Sequence, residues 1–138
     1  MIDPRTAPYA ALLLRLTLGV ALLAHGLMKV FVFTLPGTVG FFQSLGLPGV
    51  LAYLVVLVEV AGGLALILGF KTRIVALIAV PVLLGAAWMH APNGWVFSSP
   101  NGGWEFPVFW AAALVVQSLL GDGAYAVSRS LQPAPKAA

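Results

Sequence analysis

Four long apolar stretches, separated by short segments rich in turn residues, organise the chain. They run from about Tyr9 to Phe33, Gly49 to Phe70, Ile74 to Met89 and Phe106 to Leu120. Each is continuously apolar, without the strict alternation of a β-barrel strand, and a barrel needs at least about eight strands. Crossing the hydrocarbon core as a helix takes roughly 20 residues. The first two stretches meet that length, and the other two reach it only by borrowing interfacial residues such as His90 or Trp104. The pattern predicts an all-α fold, an integral membrane four-helix bundle with helices at about 9–33, 49–70, 73–90 and 104–126. One transmembrane domain then covers 1–130, and the Pro/Ala-rich 131–138 is expected to be a disordered tail. Pro81 falls inside the third stretch, where it should kink the helix or sit where neighbours cover the freed carbonyl. The first stretch reads as a retained helix: it is too long for the apolar region of a signal peptide, and no small-residue cleavage site follows it.

Composition supports the same reading. Of 138 residues, 8% are charged and 61% hydrophobic, where a soluble domain carries about 25% charged residues. So few charges cannot coat a water-soluble monomer. The lipid bilayer is the expected partner. There is no cysteine, which excludes thiolate chemistry, Fe–S ligation and cysteine-type zinc sites on this chain alone. The net charge of +3 is spread along the sequence and makes no nucleic-acid footprint.

The distribution of the charges carries more information. Arg5, Lys71, Arg73, Arg129 and Lys136 lie in the two tails and the second connection. The first connection, Thr34 to Pro48, and the third, Ala91 to Gly103, have no charge. With four spans, the positive-inside rule places both termini in the cytoplasm. A reporter active only in the periplasm, fused after Ala138, is expected to be silent, and activity there would reverse the orientation. The outer connections are distinct in character. The first, with Phe41 and Phe42 between Pro/Gly pairs, is an apolar amphipathic segment suited to the interface. The third carries turn dipeptides at Pro92-Asn93-Gly94 and Pro100-Asn101-Gly102, flanked by Trp95 and Trp104 as interface anchors.

The ionisable residues within the spans are Arg15, His25, Lys29 and Glu59, with His90 and Glu105 at span ends. A charge at the bilayer centre costs about 2.5–3.5 kcal/mol on insertion scales, so such groups face one another or line a polar cavity. His25 and Lys29, four residues apart, share a helix face. Arg15 lies within about 80° of His25 around the same helix. The expected arrangement is a column, with Arg15 low, Glu59 central, and His25, Lys29, His90 and Glu105 towards the outside. In that column Arg15 and Glu59 form a structural ion pair. His25, Lys29, Glu59, His90, Trp104 and Glu105 line an outer pocket, with Trp88 and Trp104 as its walls. The alternative is that Arg15 and Lys29 merely snorkel and that His90 and Glu105 are ordinary interfacial groups.

These residues also carry a resemblance. Arg15, then His25-Gly26 and Lys29, resembles the first-helix signature of the DoxX family. Phe41-Phe42 with Leu45-Gly46-Leu47-Pro48, Glu59 with Gly62-Gly63, and Leu68-Gly69-Phe70-Lys71-Thr72-Arg73 are similar to its following segments. His90, Gly103-Trp104-Glu105 and Gly121-Asp122-Gly123 complete a likeness running from about Leu14 to Gly123. The resemblance implies a small four-helix inner-membrane protein linked to quinone-coupled oxidoreduction or redox stress, whose relatives also include membrane chaperones.

Three functions are compatible with the residues. One is a membrane subunit of a redox or stress-related complex that binds a quinone or quinol in the outer pocket and works with a soluble or membrane redox partner protein. No electron carrier is evident, so the chain alone is at most a subunit of an oxidoreductase. Another is a non-catalytic assembly or interaction protein, with the polar column as interhelical glue. The last is a metal or haem site, with His25 and His90 as candidate ligands beside Glu59 and Glu105. A transporter would require a homo-oligomer, because four short helices make a thin wall.

Overall fold

The computed structural model describes residues 3–130, so the tail 131–138 lies outside the described residues. Six helices follow in order: α1 (Ala7–Phe31), α2 (Leu35–Ser44), α3 (Val50–Leu68), α4 (Thr72–His90), α5 (Glu105–Leu120) and the short α6 (Val127–Ser130). A 3-10 turn at Ala91–Asn93 ends α4, and no strand occurs among the described residues. The chain is an all-helical membrane bundle. α1 packs on α3, α3 on α4, α4 on α5 and α5 on α1, which closes a ring of four.

α1, α3 and α4 are long and apolar enough to cross a membrane. α5 has 16 residues, a rise of about 24 Å, and is shorter than a typical span. Large apolar side chains point away from the bundle all round it: Leu13, Leu57, Ile78 and Phe109 are each more than half exposed. Apolar surface this continuous is a lipid-facing surface. The buried core is small by comparison, built from Leu18, Leu22, Leu66, Leu83 and Leu114 with alanines of α4 and α5 between them.

Glycine sets the tightest contact. A Cβ on Gly63 would fall 2.6 Å from Leu23 N and 2.8 Å from Gly19 O, both backbone atoms of α1. On Gly26 it would lie 2.7 Å from Val60 Cγ2 and 3.0 Å from Glu59 Cβ. The two helices are antiparallel and touch almost backbone to backbone, as small residues permit in membranes.

Two boundaries differ from the sequence expectation. The first connection contains a ten-residue helix, α2, capped by the Thr34 hydroxyl, which accepts from Gly37 N at 3.2 Å. The fourth long helix ends at Leu120 and does not continue to about 126. Gly121 and Gly123 both adopt positive φ, 85° and 70°, which breaks the helix. The buried Gln117 amide then donates to the Gly121 carbonyl at 2.8 Å.

The chain beyond α5 folds back as a strap over the end of the bundle where α1 begins. Ala124 N donates to Pro8 O at 2.9 Å and Ser128 N to Gly69 O at 3.1 Å. Asp122 Oδ1 accepts from Thr72 N at 3.1 Å, capping α4, and Ser128 Oγ accepts from Lys71 N at 2.8 Å. These bonds satisfy amides that the start of α4 would otherwise leave open.

Candidate functional site

In the half of the bundle where α1 ends, the Lys29 ammonium donates to both carboxylate oxygens of Glu59, at 2.7 and 2.8 Å. It is the one ion pair among the described residues. The Glu59 side chain is 7% exposed and that of Lys29 is 21% exposed. Helix geometry explains the meeting. Side chains lean towards the N-terminus of their own helix, and α1 and α3 are antiparallel. Lys29 therefore reaches down a turn while Glu59 reaches up. Gly26, one turn below Lys29, clears the space between them. The Thr38 hydroxyl of α2 donates to the Lys29 carbonyl at 3.1 Å, fastening α2 over the end of α1.

The Arg15–Glu59 pair expected from the sequence does not form. Glu59 packs against Gly26, and Arg15 is eleven residues earlier, about 16 Å along the axis. Arg15 is 1% exposed and donates from Nη2 to the Ala124 carbonyl of the strap at 3.2 Å. Its Nη1 occupies the space that a side chain on Gly69 would need. Arg15 thus fastens the opposite end of the bundle.

His25 stands one turn below Lys29 on α1. Its Nδ1 lies 2.9 Å from the Ala21 carbonyl. A carbonyl can only accept, so Nδ1 carries the proton and, in the neutral ring, Nε2 holds the free lone pair. The ring meets Trp110 of α5 edge-on, with centroids 4.9 Å apart. Trp110 is 5% exposed, and its Nε1–H is buried without an acceptor among the described residues. The sequence reading missed this residue. Its signal was a tryptophan more than one turn inside a span, away from the interface where tryptophan usually sits.

His90, Trp104 and Glu105 belong to a different feature, the third connection. His90 Nδ1 is 3.5 Å from the Asn93 amide nitrogen, which donates to the carbonyls of Asn101 and Gly102 at 3.1 and 2.8 Å. The Glu105 carboxylate accepts from Phe97 N at 2.7 Å. Trp104 packs edge-on against Trp95, with centroids 4.4 Å apart. Trp88, expected to wall the pocket, is 61% exposed and turns outward. The expected single pocket is therefore two groups of residues. Lys29, Glu59, His25 and Trp110 sit inside the bundle, and His90, Trp104 and Glu105 hold the loop.

An open groove of about 520 Å³ lies on the outer flank of α5, lined by Trp95, Phe97, Glu105, Phe106 and Phe109 among others. Phe106 joins it to the inner group, because its ring centroid is 5.6 Å from that of Trp110. The arrangement does not suit a metal ion. No group of three or more His, Cys, Asp or Glu comes together among the described residues, so the set His25, His90, Glu59 and Glu105 is not assembled. The inner group holds an N–H without an acceptor among the described residues, an ammonium bonded to Glu59, and a lone-pair nitrogen beside an aromatic ring.

Comparison with known proteins places this architecture. Over 75 residues the chain is 40% identical to a Bacillus subtilis (strain 168) protein named "Putative oxidoreductase CatD", covering 54% of each chain. The chain thus spans about half the length of that relative. Over 97 residues it is 31% identical to "Inner membrane protein YqjF" of Escherichia coli (strain K12), covering 69% of this chain and 72% of the relative. No solved structure matches it. The DoxX family model matches residues 10–92, a stretch that includes Arg15, His25, Lys29, Glu59 and the whole α1–α3 seam, and the chain belongs to the DoxX family.

Proposed function

We propose that this protein is a membrane subunit of a redox complex in the bacterial inner membrane and that it binds a quinone or quinol in the outer half of its bundle. The observation that carries the reading is the Trp110 Nε1–H, buried without a partner beside His25. A buried donor left unmade costs about 1–3 kcal/mol, and a carbonyl oxygen of a bound ring would satisfy it. His25 Nε2 is the acceptor for the hydroxyl of a quinol, and Lys29 is a fixed positive charge. The groove beside Phe106 opens to lipid and suits an apolar tail. The chain's own residues would bind and orient the ring and accept its proton. Electrons would come from a partner protein. One relative's name, oxidoreductase, agrees with this role.

The test is a short-tailed quinone titrated into the purified protein in mild detergent, read by quenching of tryptophan fluorescence, with mass spectrometry of co-purified quinone. Trp110→Phe keeps the ring packing and removes only the N–H. It is expected to fold in normal yield and bind about tenfold more weakly, the effect of roughly 1.4 kcal/mol. Equal quenching of the variant and the wild type, or no bound quinone in either, would remove the reading.

A non-catalytic assembly role is the second reading, and a specific observation favours it. Arg15, His90 and Glu105 are all engaged in holding the strap and the third connection together, so half of the polar column has a structural duty. Under that reading, Trp110→Phe changes nothing and Lys29→Met lowers protein level alone.

A further inference from the structure

At the opposite end of the bundle, the turn between α3 and α4 and the strap border a second, open pocket of about 320 Å³, lined by Lys71, Arg73, Ile74, Asp122 and Ser128. Its polar groups are unequally used. Asp122 Oδ1 takes the Thr72 N–H and Ser128 Oγ takes the Lys71 N–H, which leaves Asp122 Oδ2 as the one acceptor of the pocket without a bond among the described residues. The donors are largely unengaged. Lys71 Nζ forms no ion pair among the described residues, its nearest aromatic contact being 5.7 Å above the Phe70 ring. Among the described residues Arg73 donates only from Nη1, to Ser118 O at 3.3 Å. Its guanidinium is held in place against Gly121, where an added Cβ would lie 2.9 Å from Nη2 and 3.0 Å from Nε. The Ser128 hydroxyl keeps its own proton to donate.

Charge points the same way. Two cations face one carboxylate in the pocket. Behind Gly69, two residues from Lys71, lies Arg15, 1% exposed, its Nη1 against that glycine and its Nε and Nη1 without a hydrogen-bond partner among the described residues. An excess of donors and of positive charge selects an oxyanion. Location selects its source. The pocket lies where the apolar spans α3 and α4 end, the level of lipid headgroups. Ile74, 58% exposed, and Phe70, 41% exposed, stand beside the cations as apolar neighbours for a glycerol and acyl chain.

We propose that this pocket binds the phosphate of an anionic phospholipid headgroup between the Lys71 ammonium and the Arg73 guanidinium. The Arg73 guanidinium is pre-oriented by Ser118 and Gly121, and Lys71 closes on the bound phosphate from the other side.

Native mass spectrometry of the full chain, with phosphatidylglycerol and phosphatidylcholine offered in equal amounts, tests the site. The wild type is expected to retain phosphatidylglycerol preferentially. Lys71→Glu should retain about tenfold less, the effect of losing one charge-assisted hydrogen bond. The Lys71 side chain makes no hydrogen bond among the described residues, so thermal unfolding in lipid-free detergent should match the wild type. Lys71→Gln serves as a second variant with a milder charge change. Arg5→Gln, which removes a charge at the same end but outside the pocket, should retain lipid normally. Equal loss in Arg5→Gln would overturn the pocket in favour of diffuse surface charge. Equal retention by the wild type and both Lys71 variants would overturn it outright. A thermal shift with inorganic phosphate in the wild type alone, without lipid retention, would assign the occupant to free phosphate and overturn the lipid.

Discussion

Lys29→Met is expected to be among the most damaging single substitutions in this protein, at about 3–5 kcal/mol, the range for breaking a buried ion pair from one side. It leaves the Glu59 carboxylate, 7% exposed, with no other cation bonded to it among the described residues. Glu59→Gln should cost less. The Lys29 side chain is one-fifth exposed, and its stem is long enough to lift the ammonium towards the surface. The double change Lys29→Met with Glu59→Leu should be milder than Lys29→Met alone, because two apolar side chains of similar volume leave no uncompensated charge. Thermal unfolding of the wild type, Lys29→Met, Glu59→Leu and the double variant in one detergent measures the coupling. Additive losses would show that the two side chains do not depend on each other, and the pair would lose its place at the centre of the site.

The next largest contrast separates two neighbouring glycines. Gly63→Ala is expected to destabilise by about 1–3 kcal/mol, the cost of overpacking a filled interface. The new methyl would meet Leu23 N at 2.6 Å and Gly19 O at 2.8 Å. Both are backbone atoms, so only a separation of α1 from α3 can relieve the clash. Gly62→Ala, one position away, finds nothing nearer than Val75 Cγ1 at 3.6 Å, an ordinary contact. It should be neutral or slightly stabilising, since alanine holds a helix better than glycine by up to about 1 kcal/mol. Unfolding midpoints for the two variants decide the matter. If Gly63→Ala is as harmless as Gly62→Ala, the close approach of α1 and α3 is not what binds them. Because Gly26 and Glu59 lie on the same seam, Gly63→Ala should also loosen the Lys29–Glu59 pair and weaken any ligand held beside it.

The sequence by itself determined the all-helical class, the membrane setting and the family. Those follow from properties that accumulate along the chain: continuous apolar runs, 8% charged residues and motifs in fixed order. The face shared by His25 and Lys29 was legible too, because four residues make about one turn. Periodicity places residues around one helix but says nothing about the vertical offset between two. That offset decided the ion pair. Glu59 was expected to meet Arg15, yet the α1–α3 seam, set by Gly19, Gly26 and Gly63, brings it level with Gly26 and within reach of Lys29. Which groups converge was likewise a tertiary matter. His90 and Glu105 lie at the same end of the bundle as Lys29, but local loop bonds to Asn93 and Phe97 engage them. Trp110 carried a signal in its depth within a span, but its contact with His25 emerged only once α5 was docked. Arg15 found its partner more than one hundred residues away, in the strap. A buried charge takes the acceptor that packing brings to it, and packing between helices depends on side-chain volumes at the contact, a property of helix pairs that no single stretch of sequence carries.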